Sequence, residues 1–335
     1  MGNRYFFLHA SRGKSCVAAA FIAALLFASA AGMAGCGSLS ETVSKTVSKI
    51  EDKPVATADA PKDEPDRDNT PKVLVWKEGE QTFSGQGATV DYSDAGNGYI
   101  TAKYEGDNQK VKLQIAYADE DPYTYDILPN TDFMGFPLTR GSGSYTIGVF
   151  LNVSGNKYSQ AVKQAIDVTI DDEFAPYLRP NQYSDYTEQS ELVKKCVDII
   201  NGVKTDNQAT ESVFLYITSH VTYDHEKADT VQSGYIPDPD ETLATGKGIC
   251  FDYASLMTSM LRSQGIPCEL IVGYAGKAYH SWIAVYAKES GEIANIIEFK
   301  DGRWNLMDPT FVASGDDSDP NKIGDGTTYN PVYYY

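Results

Sequence analysis

Histidine is scarce in this chain: four residues in 335, beside five cysteines and three tryptophans. None of the four lies between 73 and 173, so catalysis by imidazole is excluded from that stretch. Cations are also few, 28 Lys and Arg against 46 Asp and Glu, which leaves a net charge of −18. A surface that acidic repels nucleic acid and anionic lipid headgroups, so neither is expected as a partner. Long apolar runs are short too. Val17 to Ala31 falls below the length of a comfortable membrane span. Two acidic runs, Asp238–Glu241 and Asp316–Asp319, lack the glycine and the ligand spacing of a calcium loop, so they read as solvated turns. No cofactor or metal motif is present, and none is expected.

What the N-terminus does contain is a leader. Arg4, Arg12 and Lys14 form a positive region, an apolar run follows, and small residues come next. Met33-Ala-Gly-Cys36 before Gly-Ser resembles the lipobox of bacterial lipoproteins, with Met33 where Leu is more usual. That resemblance implies removal of residues 1–35 and lipidation of Cys36. The chain would then sit on the extracytoplasmic face of the cell membrane, anchored by acyl chains at about 0.8 kcal/mol per buried CH₂. The leader carries three cations and no acid, so its loss makes the net charge three units more negative. Residues 36–72 are rich in Ser, Thr, Lys, Asp, Glu and Pro. They bury too little to offset their ordering entropy and read as a disordered tether.

With Cys16 in the leader and Cys36 lipidated, three cysteines remain, which is no disulfide framework. Cys196 and Cys268 read as buried in a helix and a strand, where a free thiol behaves as a small hydrophobe.

Between 73 and 173 the pattern has period two. Tyr99–Tyr104, Val111–Tyr117, Tyr145–Val153 and Ala165–Ile170 alternate, with Gly/Asn/Asp turns between them, which predicts a small antiparallel sandwich. Residues 174–186 read as a linker able to pack between domains. Helical periodicity then begins over 191–200, is capped at Thr205 for a second helix, and returns over Phe251–Gln264. Period two resumes at Cys268–Val272, Ser281–Tyr286, Ile293–Phe299 and Arg303–Met307. Helices followed by hairpin-linked strands predict an α+β domain over 174–335.

Three groups in that domain suit covalent acyl transfer. Cys250 opens a helix after Gly246-Lys-Gly248-Ile, where unpaired N–H groups favour a thiolate. The glycines are expected to let backbone approach a substrate closely. His280 lies in a strand with Trp282 on its side, and Asp308 ends a strand before Pro309. Convergence of the three would make a nucleophile, a base and an orienting acid.

These residues carry a resemblance. Val221-Thr-Tyr-Asp224, Gly246–Ala254, Leu261–Pro267, Val272-Gly-Tyr274, His280-Ser-Trp282 and Trp304–Thr310 resemble the bacterial transglutaminase-like superfamily, over about 179 to 311. The resemblance implies a papain-like core, helices packed on an antiparallel sheet, with Cys250 as nucleophile, His280 as base and Asp308 as orienting acid. It also implies an aromatic donor near the oxyanion, for which Tyr223 and Tyr235 are the candidates. His220 and His225 flank a helix end and read as capping or surface groups.

The function expected is a membrane-anchored cysteine enzyme acting on amide bonds of extracytoplasmic proteins or peptides, cell-wall peptides included. Water or a primary amine would open its thioester, as in a protease or a transglutaminase. The alternative is a catalytically silent surface protein that binds or scaffolds on the same fold.

Overall fold

The computed structural model describes residues 66–294, 297–314 and 328–335. The expected leader, Cys36 and the Asp316–Asp319 run lie outside the described residues.

Alternating apolar side chains between 82 and 168 fold into eight strands: β1 Thr82–Gly85, β2 Ala88–Asp91, β3 Tyr99–Tyr104, β4 Val111–Tyr117, β5 Tyr123–Ile127, β6 Met134–Pro137, β7 Gly143–Ser154 and β8 Lys157–Val168. They form two antiparallel sheets, ordered β1-β2-β3-β6 and β5-β4-β7-β8. In β4, Val111, Leu113 and Ile115 are buried while Lys112 and Gln114 are half-buried, the alternation of a strand with one face on the core. β3 departs from it. Tyr99 and Thr101 are buried as well, because residues 176–179 cover Tyr99 and the Trp76 ring lies over Gly135, the partner of Thr101 in β6. The Tyr99 hydroxyl donates to the carbonyls of Pro176 and Arg179 at 3.1 Å each.

The helices are α1 Glu191–Ile199, α2 Asp206–His220, α3 His225–Thr230, α4 Pro239–Thr245, α5 Cys250–Ser263 and α6 Pro309–Ser314. Thr205 caps α2 by accepting from the Gln208 N–H at 3.2 Å. α5 is buried on every side from Asp252 to Ser263, not only along the stripe of Ala254, Met257, Met260 and Leu261. Its polar residues therefore need internal partners. Ser255 donates to the Tyr183 carbonyl at 2.6 Å, and the buried Arg262 guanidinium donates to the carbonyls of Cys268, Arg179 and Tyr335.

Four further strands make the sheet against which α5 packs: β11 Cys268–Ala275, β12 Ala278–Ala287, β15 Arg303–Met307 and β16 Tyr329–Tyr334, ordered β15-β12-β11-β16 and antiparallel throughout. Two short pairs complete the set: β9 Thr222–Tyr223 with β10 Lys247–Gly248, and β13 Gly291–Ile293 with β14 Ile297–Phe299. The single strand read over 293–299 is thus a hairpin. β16 tolerates Pro331 because it is an edge strand, and the register shifts where Pro331 faces Gly273. The fold is α+β with antiparallel sheets.

Residues 66–72 correct the expectation of a free tether. The Arg67 N–H donates to the Lys204 carbonyl at 2.8 Å, and that of Lys72 to the Ser263 carbonyl at 2.7 Å. The Arg67 guanidinium binds Asp206 at 3.0 Å and the Gln264 carbonyl at 2.9 Å, and Asn69 donates to the carbonyls of Ile200 and Val203. Partners distant in sequence hold what composition alone would leave loose.

Candidate active site

The turn that presents Cys250 is built from two glycines. Gly246 closes α4 in the left-handed region, at φ 61°, where a side chain would be strained. Gly248 sits in β10, beside Tyr223 of β9 in parallel register. A Cβ on Gly248 would lie 2.6 Å from the Cβ of Asp252, so glycine is what lets Asp252 fold back over the helix start. The glycines thus shape the α4–α5 turn.

Asp252 is fully buried, and its carboxylate accepts from the Ile249 N–H at 2.8 Å, capping α5. The Tyr235 hydroxyl donates to it at 2.6 Å, and the Lys227 ammonium lies 2.8 Å away. Lys227 also donates to the Tyr235 oxygen at 2.6 Å. A buried carboxylate is thus compensated by one cation and two further donors, as burial of a charge requires. Tyr235, expected near an oxyanion, spends its proton on Asp252 instead.

Cys250 is the first residue of α5, a free thiol with partial solvent access. His280 is delivered by β12, opposite Gly273. Met307 pairs with Ile283, so Asp308 falls just past the end of β15, near the start of β12. His280 Nε2 and Asp308 Oδ2 are 2.7 Å apart. The Cys250 thiol lies close enough to the ring to act on its charge. The nucleophile, base and acid candidates meet at one place.

Burial alone would pull the His280 pKa down, but hydrogen bonds and charge from Asp308 and Cys250 outweigh it and raise it to about 10. Asp308 is buried, and its Oδ1 accepts from the Phe311 N–H at 3.1 Å. Its Oδ2 accepts a second donor, the Tyr329 hydroxyl, at 2.7 Å. Trp282 stacks on His280, with centroids 6.3 Å apart and planes at 20°, and Tyr329 packs edge-on against Trp282 at 4.9 Å.

Tyr223 and Tyr279 both lie within electrostatic reach of the thiol. Each phenol is pushed up first by burial, and the Cys250 charge adds to the shift in both. Of the two tyrosines expected as oxyanion donors, Tyr223 is the one beside Cys250. Cys196 and Cys268 are buried free thiols, each pushed up to about 12 by burial. His220 ends α2 with Nδ1 on the Tyr216 carbonyl at 2.9 Å, and His225 opens α3. Asp238 and Glu241 are exposed as expected, but their run opens a helix instead of a loop: Asp238 accepts from the Glu241 N–H at 3.0 Å at the start of α4.

Three residues of this site escaped the sequence reading. Asp252 carried a signal, an acid at the third helical position able to reach back to the N-cap. Lys227 and Tyr329 carried none, since only the fold brings them to Asp252 and Asp308.

Comparison with known proteins matches residues 194–309 to the profile of the transglutaminase-like superfamily. Those residues are a transglutaminase-like domain. It holds Cys250, His280 and Asp308, while β1–β8 precede it in the chain. Mouse kyphoscoliosis peptidase is 26% identical over 163 residues, which cover 45% of this chain and 22% of that protein. The human kyphoscoliosis peptidase matches to the same extent. The chain therefore spans less than a quarter of the length of these relatives. A UPF0252 protein of Methanocaldococcus jannaschii is 26% identical over 130 residues, 33% of this chain and 37% of that one. Among solved structures, a Cytophaga hutchinsonii protein proposed to be a cysteine protease is similar at TM-score 0.37. It is 15% identical and covers 76% of this chain and 78% of that one.

Proposed function

We propose that the protein is a cysteine enzyme acting on amide bonds through a thioester, with Cys250 as nucleophile, His280 as acid and base, and Asp308 as the group that orients the imidazole. One observation carries this reading: an imidazole bonded to a carboxylate at 2.7 Å and acted on by the partly exposed thiol that opens α5. The thiolate attacks the carbonyl carbon, forming a C–S bond and moving the π electrons onto oxygen. Backbone N–H groups of Cys250 and Phe251, which no turn of the helix engages, are the donors for that oxyanion, with the Tyr223 hydroxyl as a third. His280 gives its proton to the leaving nitrogen as the C–N bond breaks. Water or a primary amine then opens the thioester while the neutral imidazole takes a proton from it.

Protein or peptide substrates outside the cytoplasm, reached from a lipid anchor at Cys36, belong to the same proposal. Its support is the lipobox-like motif alone. Among the described residues no helix is long and apolar enough to cross a membrane.

The test is alkylation. Iodoacetamide at neutral pH is expected to label Cys250 far faster than Cys196 or Cys268, whose thiols burial keeps protonated. Cys250→Ala should abolish the fast reaction and His280→Ala should slow it at least tenfold, on the order expected for loss of a general base. Equal labelling of Cys250→Ala and wild type would reject the proposal. A casein-type protein with a fluorescent amine then separates the two outcomes of the thioester, since fragments mean hydrolysis and incorporated amine means transamidation.

A further inference from the structure

Asp308 Oδ2 serves two donors at once, His280 Nε2 and the Tyr329 hydroxyl, each at 2.7 Å. Its other oxygen is occupied by the Phe311 N–H. A carboxylate oxygen that accepts a phenol has less negative charge to offer an imidazolium, so the two donors compete. Tyr329 is well fixed for this. β16 places it opposite Ala275 of β11, and its ring packs against Trp282, which stacks on His280. Burial first, and the Asp308 charge next, push the Tyr329 phenol well above its ordinary range, so it remains a donor wherever the enzyme would work.

We propose that Tyr329 is a positioning residue of the site: its hydroxyl holds the Asp308 carboxylate in place and limits how tightly that carboxylate grips the His280 imidazolium. The role rests on the cysteine-enzyme reading given above. An imidazolium gripped too hard is a poor proton donor to a leaving amine. Tyr329 keeps it closer to the range in which general acids work. The ionisable groups acting on the ring are Asp308 and Cys250, and those next to them are Tyr329, on Asp308, and Tyr223 and Tyr279, on Cys250.

Magnetic resonance of the His280 ring in the purified full chain tests this, because it reads the imidazole without needing a substrate. In the Cys250→Ala background the thiol no longer acts on the ring, leaving Asp308 and Tyr329. Tyr329→Phe is expected to move the Nε2–H proton downfield and the imidazolium midpoint upward by about one pH unit, the order of one charge-assisted hydrogen bond. 3-Fluorotyrosine installed at 329 alone, a stronger donor, is expected to move both the other way. A hydroxyl that merely satisfied a buried carboxylate would not produce shifts of opposite sign. Resonance and midpoint unmoved by either replacement would overturn the proposal. Should Tyr329→Phe fail to fold, the fluorinated chain decides alone. Failure of the underlying reading has its own signature: slow labelling of Cys250 in the wild-type chain would remove the enzyme, whatever the ring resonance does.

Discussion

His280 carries the pH behaviour of the site. Its imidazole is raised from an ordinary value of 6.5 to about 10 in the fold, where Asp308 and Cys250 outweigh burial. A raised folded pKa means the native chain holds a proton that the unfolded chain gives up. The resulting stabilisation is complete below about pH 6.5 and is lost as the pH climbs toward 10. Urea unfolding of wild type and His280→Gln should therefore differ most at pH 6 and converge by pH 10, and a gap that widens with pH would contradict the assignment. Legibility at this scale divides cleanly. Cys250, His280 and Asp308 stand in motifs of distinctive local composition, so they could be picked out one by one. Tyr329 is one tyrosine among 23 and gains its meaning only from a hydrogen bond across the fold.

At the scale of elements, the start of α5 is the critical construction. Gly248 leaves room for Asp252 to fold back, and Asp252 is held by Lys227 and Tyr235 from the segment between α2 and α4. Gly248→Ala pushes a methyl group into the Asp252 side chain and should cost about 1 to 3 kcal/mol in thermal or urea unfolding. Because the helix start carries the thiol, the same variant should slow alkylation of Cys250 at least about tenfold. Retention of wild-type labelling would mean the cap does not govern the thiol. The β4 and β15 boundaries followed directly from alternation at Val111–Tyr117 and Arg303–Met307. β7 and β8 run longer than the alternation indicated, since their outer hairpin residues are mostly exposed and give no pattern to read. The full burial of α5 was hidden for the opposite reason. Ser255, Thr258 and Arg262 look like a solvent face, yet hydrogen bonds such as Ser255 to Tyr183 let polar side chains sit inside.

At the scale of the molecule, aromatic rings join the strand-rich N-terminal part to the segments that flank the transglutaminase-like domain on either side. Tyr125 stacks on Tyr183 at 5.8 Å, Tyr123 meets Tyr333 edge-on at 5.3 Å, and the Tyr123 hydroxyl accepts the Tyr334 N–H at 3.2 Å. Buried residues of both parts belong to one continuous core. The segment 66–72 adds a second connection, and Arg67 is its main anchor. Arg67→Ala should cost about 2 kcal/mol, from the loss of mostly buried contacts to Asp206 and Gln264. It should also open residues 66–72 to proteolysis while Cys250 still reacts. Unchanged resistance to protease would show that the backbone bonds suffice.

The seating of that segment decides where a mechanical load would enter the fold. Any pull along the preceding chain passes first through Arg67 and Lys72 into Lys204, Ser263 and Gln264, at the far end of the helix that Cys250 opens. With 14 residues at about 1.5 Å each, roughly 21 Å of buried helix separates that grip from the sulfur. A load arriving at residue 66 would strain the helix tail before it disturbed the thiol.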